Sequence, residues 1–417
     1  MKYFGTDGTR AIFDDDFLVL AYKIGFVLGS KDNSILVATD TRESGKLVAD
    51  AFISGAKKNL SSVTYSGIMP TPALSVATRK GTFDFGVMIT ASHNPKEYNG
   101  IKIFDHNGYK LSDDCLAEIE KKIDESPVGE IFPHKKESVL PLSVYFGSLK
   151  NIPRPVKPLK ILVDCASGAT VKTVGMFEQF ASELVLTGTD GFINDGSGVF
   201  FVEQAKEKKK QTNADLAFVF DGDGDRVICI DENDEIINGD VILYILSKYL
   251  LRQGRLKSKT VVGTVYSSVA LERSLNVLGV SLVRTAVGDK YVSETMRKYR
   301  LPLGAESSGH VILNTTTGDG LRTALLLTYL ASIIPLNERK SGFMSGFVVE
   351  RTYPFDYNLY TKLKNDSEKY KSFLGKNGRI IIRKSGTEPI IRVLAESDEE
   401  KMIDEVLYSI EKTIKKC

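Results

Sequence analysis

Three aspartates alternate with glycines in the segment DGDGDR, placing Asp221, Asp223 and Asp225 directly after an apolar run. Carboxylates at alternate positions, on a backbone that can wrap closely, suit one hard divalent cation held by oxygen. Magnesium is the expected occupant, because it demands tight octahedral oxygen ligation and keeps room for phosphate, which points to phosphoryl chemistry. An acidic β-turn and a calcium loop are the alternatives, and the EF-hand pattern would need a bidentate glutamate further on and flanking helices. A second loop, TASHNPKEYNGIK at 90–102, puts Ser92 and His93 at the end of an apolar strand, in a small-residue turn that would expose a hydroxyl. Serine is weak at its free pKa, so a nucleophilic Ser92 needs help from His93, Lys102 or a metal; a capping serine is the other reading.

Four further segments carry polar groups that recognise anions or hydroxyls. GAESSGH at 304–310 offers Glu306, Ser308 and His310, a set suited to directed hydrogen bonds with sugar hydroxyls, although Gly and Ser also build ordinary turns. RKSGTEPIIR combines Arg383 and Arg392 with Ser385, Gly386 and Thr387, whose donors can surround a phosphate; a solvated hairpin turn is the alternative. FGTDGTR leaves Arg10 beside a flexible turn, where it can meet a phosphate or carboxylates. RTAVGDKY offers Lys290 next to glycine-turn backbone, or a plain β-turn.

The elements that position these loops repeat. SILVATD reads as a strand ending near Asp40, followed by a polar turn and a helix from about Ser44 to Lys58; the order recurs at KILVDCASGAT, with its strand ending near Asp164, and at TVVGTVYSSVALERSL, ending near Thr264. Each is followed by a second short apolar run that leads into FGVMITASHN, LAFVFDGDGDR or LPLGAESSGH. Ligands gather beyond the carboxyl ends of strands in open α/β sheets, so three similar domains can each aim one loop into a shared cleft. The tail differs: GRIIIRKSGTEPIIRVLAES and a helix from about Glu399 to Lys415 give the strand-loop-strand-helix order of a small α+β domain. The expected fold is therefore α/β, three similar mixed α/β domains plus a smaller C-terminal α+β domain around a central cleft. The proline-rich NIPRPVKP, the Asn238–Gly239 turn and the weakly structured NERKSGFMSG set the expected boundaries at 1–150, 151–238, 239–340 and 347–417.

Bulk properties exclude several classes. A chain of 417 residues exceeds one core, since domains run to about 100–150 residues. With 42% hydrophobic and 26% charged residues, and no stretch of the roughly 20 apolar residues a span needs, this is not expected to be a membrane protein. The start MKYFGTDGTR lacks the pattern of a secretory signal, so the cytoplasm is the expected compartment. A formal net charge of +2 with mixed signs argues against nucleic acid, and the run Lys206 to Lys210 reads as the solvated face of a helix. Cys115, Cys165, Cys229 and Cys417 form no C-x-x-C pair and read as reduced thiols. Nothing in the sequence fixes the oligomeric state, and a homodimer is compatible with it.

Taken together, the loops resemble the α-D-phosphohexomutase superfamily, whose motifs stand here in the family's order from Phe4 to Arg392. The resemblance implies four domains around a cleft and a serine that carries a phosphoryl group, here Ser92. It implies magnesium held by Asp221, Asp223, Asp225 and the serine phosphate, and sugar held by Glu306 and Ser308. Arg383, Ser385, Gly386, Thr387 and Arg392 match the loop for the non-reacting phosphate, while Arg10, His93, Lys102, Arg226 and His310 match positions near the reacting groups, Lys102 and His310 as acid/base. Lys290 falls within RTAVGDKYV, a segment that with FGTDGTR and TTTGDGL at 315–321 looks like the phosphoglucosamine mutase branch. That branch implies an isomerase acting on glucosamine 6-phosphate and 1-phosphate through a bisphosphate, with sugar 1,6-bisphosphate as activator and a small-molecule phosphosugar as substrate. Ser307 stands where the branch has glutamine, Gly224 where it often has alanine, and TASHN also occurs in phosphomannomutase/phosphoglucomutase relatives. Mannose or glucose phosphate is therefore the alternative substrate, since one altered hydroxyl contact redirects specificity. A magnesium-dependent sugar phosphatase and a non-catalytic phosphosugar sensor are the rival classes; the sensor would be expected to lack the serine or the carboxylates, which are all present.

Overall fold

The computed structural model describes residues 2–135, 142–385 and 389–414. The chain divides into two compact units, Met1–Val265 with Val283–Ser341, and Tyr266–Leu282 with Gly342–Cys417. Mixed α/β sheets build the first unit and a three-stranded antiparallel sheet with helices builds the second, the fold class the sequence implies.

The sheets of the first unit share one motif. In the first sheet, Ser34–Thr39 pairs parallel with Phe85–Ile89, which turns back antiparallel into Tyr98–Asp105. In the second, Lys160–Asp164 pairs parallel with Leu216–Phe220, which turns back into Val227–Ile230. In the third, Thr260–Thr264 pairs parallel with Leu303–Ala305, which turns back into Val311–Leu313. The serine, aspartate and glutamate-histidine segments are thus three hairpin connections at equivalent places. The parallel strands read as unbroken apolar runs because helices cover both faces. Leu216–Phe220 is buried at every position, and its Leu, Phe and Val side chains each contribute about 1.5–3 kcal/mol relative to exposure.

Local signals set the helices. Asp14 caps Asp15–Leu28 by accepting from the Phe17 amide, and Asn238 caps Gly239–Arg252 by accepting from the amides of Asp240 and Val241. The helix expected from Ser44 to Lys58 spans Gly45–Lys58. After Asp164 the repeat changes: Ala169–Lys172 and Val174–Gln179 are 3-10 turns, not an α-helix. Thr170, Val171, Thr173 and Val174 are β-branched and Gly175 follows them, a run of weak helix formers. Lys206–Lys210 lies on the helix Val202–Thr212 as expected, but Lys209 is buried and its ammonium meets Asp234 Oδ1 at 2.7 Å. The region 337–346 begins with a short helix, Leu336–Arg339.

In the second unit, Phe347–Pro354 and Arg379–Lys384 flank Ile390–Ser397, both antiparallel to it, and Glu400–Ile414 packs through Ile403, Val406, Leu407 and Ile410. Cys115, Cys165 and Cys229 are free thiols; Cys417 lies outside the described residues. Burial pushes the Cys165 thiol up to about 12, which keeps it protonated. Among the described residues, no helix is long and apolar enough to cross a membrane.

Candidate active site

Ser92 sits on the turn between Phe85–Ile89 and Tyr98–Asp105, with φ +53°. A non-glycine residue in the left-handed region costs about 1–2 kcal/mol, and persists where its surroundings over-determine it. Here the Ser92 amide donates to Thr90 Oγ1 (2.8 Å), and Thr90 Oγ1 donates to Asp40 Oδ2 (2.7 Å). The expected exposed hydroxyl is a buried one: Ser92 is 0% exposed, and its Oγ donates to Asp221 Oδ2 at 2.7 Å. The aspartate segment closes over it, and a Cβ on Gly222 would lie 2.6 Å from the Ser92 carbonyl oxygen, so only glycine permits the approach.

Asp221, Asp223 and Asp225 present ligand atoms within 4.8 Å of one another, all buried. Asp223 Oδ1 and Asp225 Oδ1 are buried without a hydrogen-bond partner, an arrangement that is costly unless a cation engages them. Oxygen-only donors clustered this way fit a hard divalent ion. The opposite oxygens, Asp223 Oδ2 and Asp225 Oδ2, accept from Lys102 Nζ at 2.8 and 2.9 Å, and Thr71 Oγ1 donates to Asp223 Oδ2 at 2.5 Å. Burial pushes the Asp221 carboxyl well up, reinforced by Asp225 and Asp223; burial pushes Asp223 the same way, but the Lys102 ammonium outweighs it and holds Asp223 low. Burial alone would lower Lys102, yet Asp223, Asp225 and Asp7 keep it charged, well above the usual lysine range. Gly224, at φ +71°, makes the turn between Asp223 and Asp225.

A second charged cluster adjoins the first. Asp7 pairs with Arg10, Lys110 and, at 3.1 Å, Lys102, while Lys110 meets Asp289 Oδ2 at 2.5 Å and Asp289 Oδ2 stands 3.1 Å from His310 Nε2. Burial opposes charge on His310, but Asp289 and Asp225 raise it above the ordinary imidazole range. His93 is the converse case: burial, then Arg226 and Arg10, bring it down to about 2, so it is a neutral imidazole with Nδ1 3.3 Å from Ser92 Oγ. Arg10 Nε, Arg226 Nε and His310 Nδ1 are buried without a hydrogen-bond partner, donors of the kind that suit oxyanions.

Glu306 is buried, accepts from the Gly288 amide at 3.1 Å, and is pushed up by burial and by Asp289. Gly309, at φ +93°, lets the GAESSGH turn close against Val227, and Arg226 forms a bridge with His310 that joins this turn to the aspartate segment. Ser308 is exposed. Lys290 is buried and its ammonium meets Asp113 Oδ1 at 2.6 Å. The neighbouring Asp289 is the residue of RTAVGDKY that meets the charged cluster.

In the second unit, Arg383 and Arg392 are cross-strand partners. Arg383 Nε donates to the Tyr266 hydroxyl at 2.7 Å with its guanidinium 4.8 Å from that ring's centre, and Arg392 lies 3.6 Å from Glu350 Oε1. Ser385 is buried, its amide donating to the Ile390 carbonyl. Gly386 and Thr387 lie outside the described residues.

Sequence reasoning missed Asp7, Asp40, Arg42, Lys110, Asn194 and Asp289. Arg42 is the most connected of these: its Nη1 donates to the carbonyls of Pro95 and Tyr98, its Nη2 to those of Ser92 and Asn94, and its Nε to Asp40 at 3.0 Å. A D-x-R triplet directly after the strand SILVAT was the available signal.

Comparison with known proteins places this geometry. Residues 1–128 match phosphoglucomutase/phosphomannomutase, alpha/beta/alpha domain I; residues 238–341 match domain III; and residues 358–412 match the C-terminal domain. The chain is 38% identical to the phosphoglucosamine mutase of Clostridium beijerinckii over 446 residues, covering 100% of this chain and 99% of that one, and 38% identical to that of Clostridioides difficile over 441, covering 98% of each. In fold it resembles a phosphoglucomutase/phosphomannomutase family protein from Burkholderia thailandensis (TM-score 0.82, 22% identity, 98% of this chain and 96% of that one). It also resembles the Aspergillus fumigatus N-acetylphosphoglucosamine mutase crystallised with GlcNAc-6P and magnesium (TM-score 0.67, 16% identity, 99% and 95%). The chain therefore belongs to the α-D-phosphohexomutase superfamily, on the side of its phosphoglucosamine mutases.

Proposed function

We propose that this chain interconverts glucosamine 6-phosphate and glucosamine 1-phosphate by carrying a phosphoryl group on Ser92. The observation that carries the reading is the Ser92 hydroxyl seated on Asp221 inside a triad of carboxylates, in a chain alike over its full length to phosphoglucosamine mutases.

In the proposed cycle the phosphoryl group leaves Ser92 Oγ as its Oγ–P bond breaks, a new O–P bond forms at the sugar hydroxyl, and the proton that hydroxyl gives up ends on Ser92 Oγ. The resulting bisphosphate turns over, and its other phosphoryl group returns to Ser92. When the serine is free, its hydroxyl donates to Asp221 Oδ2 at 2.7 Å. A bound magnesium ion would be held by Asp221, Asp223, Asp225 and the serine phosphate, and would neutralise charge on the transferring group. Arg10, Arg226 and the charged Lys102 face the same charge, Lys102 buried and the two arginines half-buried. Lys102 and His310, both kept charged by neighbouring carboxylates, are the acid/base pair that moves this proton between the reacting oxygens, with neither fixed to one half-reaction. Glu306 and Ser308 read the sugar; Arg383, Ser385, Gly386, Thr387 and Arg392 hold the non-reacting phosphate. Lys290, whose ammonium meets Asp113 Oδ1 at 2.6 Å, belongs to the proposed substrate-binding set. The domain divisions at 1–150, 151–238, 239–340 and 347–417, a cytoplasmic location, activation by sugar 1,6-bisphosphate and a homodimer belong to the same proposal.

Coupled mutase kinetics test it, with magnesium and a trace of the matching 1,6-bisphosphate, on glucosamine, glucose and mannose 6-phosphates. A preference for glucosamine supports the reading. A preference for glucose or mannose keeps the mechanism and moves the substrate, and steady release of inorganic phosphate in place of isomerisation makes the chain a phosphatase.

A further inference from the structure

Two side chains from different sheets bind the same pair of carbonyls on the nucleophile turn. Arg42 Nη2 donates to the Ser92 carbonyl at 3.0 Å and to the Asn94 carbonyl at 2.8 Å. Asn194 Nδ2 donates to the same two oxygens, at 2.8 and 2.9 Å. Arg42 follows the strand Ser34–Thr39 and is locked by its pair with Asp40, both side chains 0% exposed. Asn194 comes from the second sheet, on the segment between Glu183–Thr187 and Val202–Thr212, where it holds φ +57° and its amide donates to the Ala166 carbonyl at 2.9 Å. Neither residue touches Ser92 Oγ; both touch the peptide that aims it.

We infer that Asn194 is a positioning residue for phosphoryl transfer, closing from the second sheet a clamp that Arg42 begins from the first. The inference rests on the reading of Ser92 as the phosphoryl carrier. Arg42 reaches the two carbonyls from its own sheet. The side-chain amide of Asn194 reaches the same two oxygens from the second sheet, beside Gly222, whose Cβ would stand 3.0 Å from Asn194 Nδ2. The turn is therefore registered against the aspartate segment as well as against its own sheet. This matters because Ser92 Oγ must meet the reacting phosphorus in line, and a displacement of about 1 Å costs on the order of 10²-fold in rate.

The test uses Asn194→Gly, which tolerates positive φ but lacks the amide, and Asn194→Asp, which keeps the shape and turns carboxylate oxygens toward the two carbonyls. Both are compared with wild type and Ser92→Ala in mutase kinetics, in thermal unfolding, and in the rate and final extent of Ser92 labelling by a ³²P-labelled sugar 1,6-bisphosphate. The expected result is a fall in kcat of about 30- to 100-fold with KM changed less than about threefold, a slower labelling rate, and a labelling extent equal to wild type. Values of kcat within twofold of wild type in both variants overturn the inference, as does a fall in kcat that only follows lost folded protein or lost labelling extent. Full activity in Ser92→Ala instead removes the reading on which the inference rests.

Discussion

The ammonium of Lys102 stands 2.8 Å from Asp223 and 2.9 Å from Asp225, so the two carboxylates share a fixed internal cation on one side and turn their other oxygens the opposite way. That division of labour lets three acids stay close in a buried site.

Replacing Lys102 by Met leaves Asp7, Asp223 and Asp225 to repel one another in a dry environment. Removing one partner of a buried pair costs about 3–5 kcal/mol, and loss of a positioned proton donor costs about 10²–10⁴ in rate. Urea unfolding of Lys102→Met at neutral pH and its mutase kcat check both.

Chelation is expected to abolish isomerisation, and added magnesium to restore it. Asp223→Asn weakens the oxygen cluster, so the magnesium concentration for half-maximal activity rises by about tenfold or more. A metal titration of activity in both proteins measures this.

Gly222→Ala places a methyl group 2.6 Å from the Ser92 carbonyl, 2.7 Å from Ile193 and 3.0 Å from Asn194. The turn has to shift, and kcat is expected to drop on the order of 10²-fold while the sheets persist. Far-ultraviolet circular dichroism beside steady-state kinetics distinguishes a moved turn from a lost fold.

Arg383→Ala is expected to raise KM for the phosphosugar by about 10- to 100-fold with a smaller effect on kcat, as loss of a charge-assisted phosphate contact does. Initial rates over a range of substrate concentration decide it.

His134 gives a pH prediction away from the reacting groups. Burial, then the Lys57 ammonium, lowers its imidazole below the ordinary range, while Asp50 pulls the other way. The unfolded chain therefore binds more protons below about pH 6.5, and stability falls as pH drops through that value. His134→Gln removes that contribution, so urea midpoints at pH 7 and pH 5.5 lie closer together in the variant.

The site was legible where chemistry is local. Asp221, Asp223 and Asp225 declare themselves by spacing, and Ser92 by its place at a strand end. The hidden residues act at long sequence separation: Arg42 reaches 50 residues to Ser92, and Asn194 reaches 102. An arginine after a strand or an asparagine in a glycine-rich loop has many ordinary uses, and only folding shows which carbonyls it meets. The three-fold repeat was readable from strand ends, yet the helix after Asp164 was not, because β-branched residues and Gly175 favour 3-10 turns there. The burial of Ser92 was equally hidden, because it depends on a glycine 130 positions away.

The contact between Gly222 and the Ser92 carbonyl makes the serine turn and the aspartate segment a single mechanical part built from two sheets. Neither can drift alone: a substitution that lengthens one loop must be answered by the other. Any engineered exchange of the second sheet with that of a relative would have to carry both loops together to leave a working enzyme.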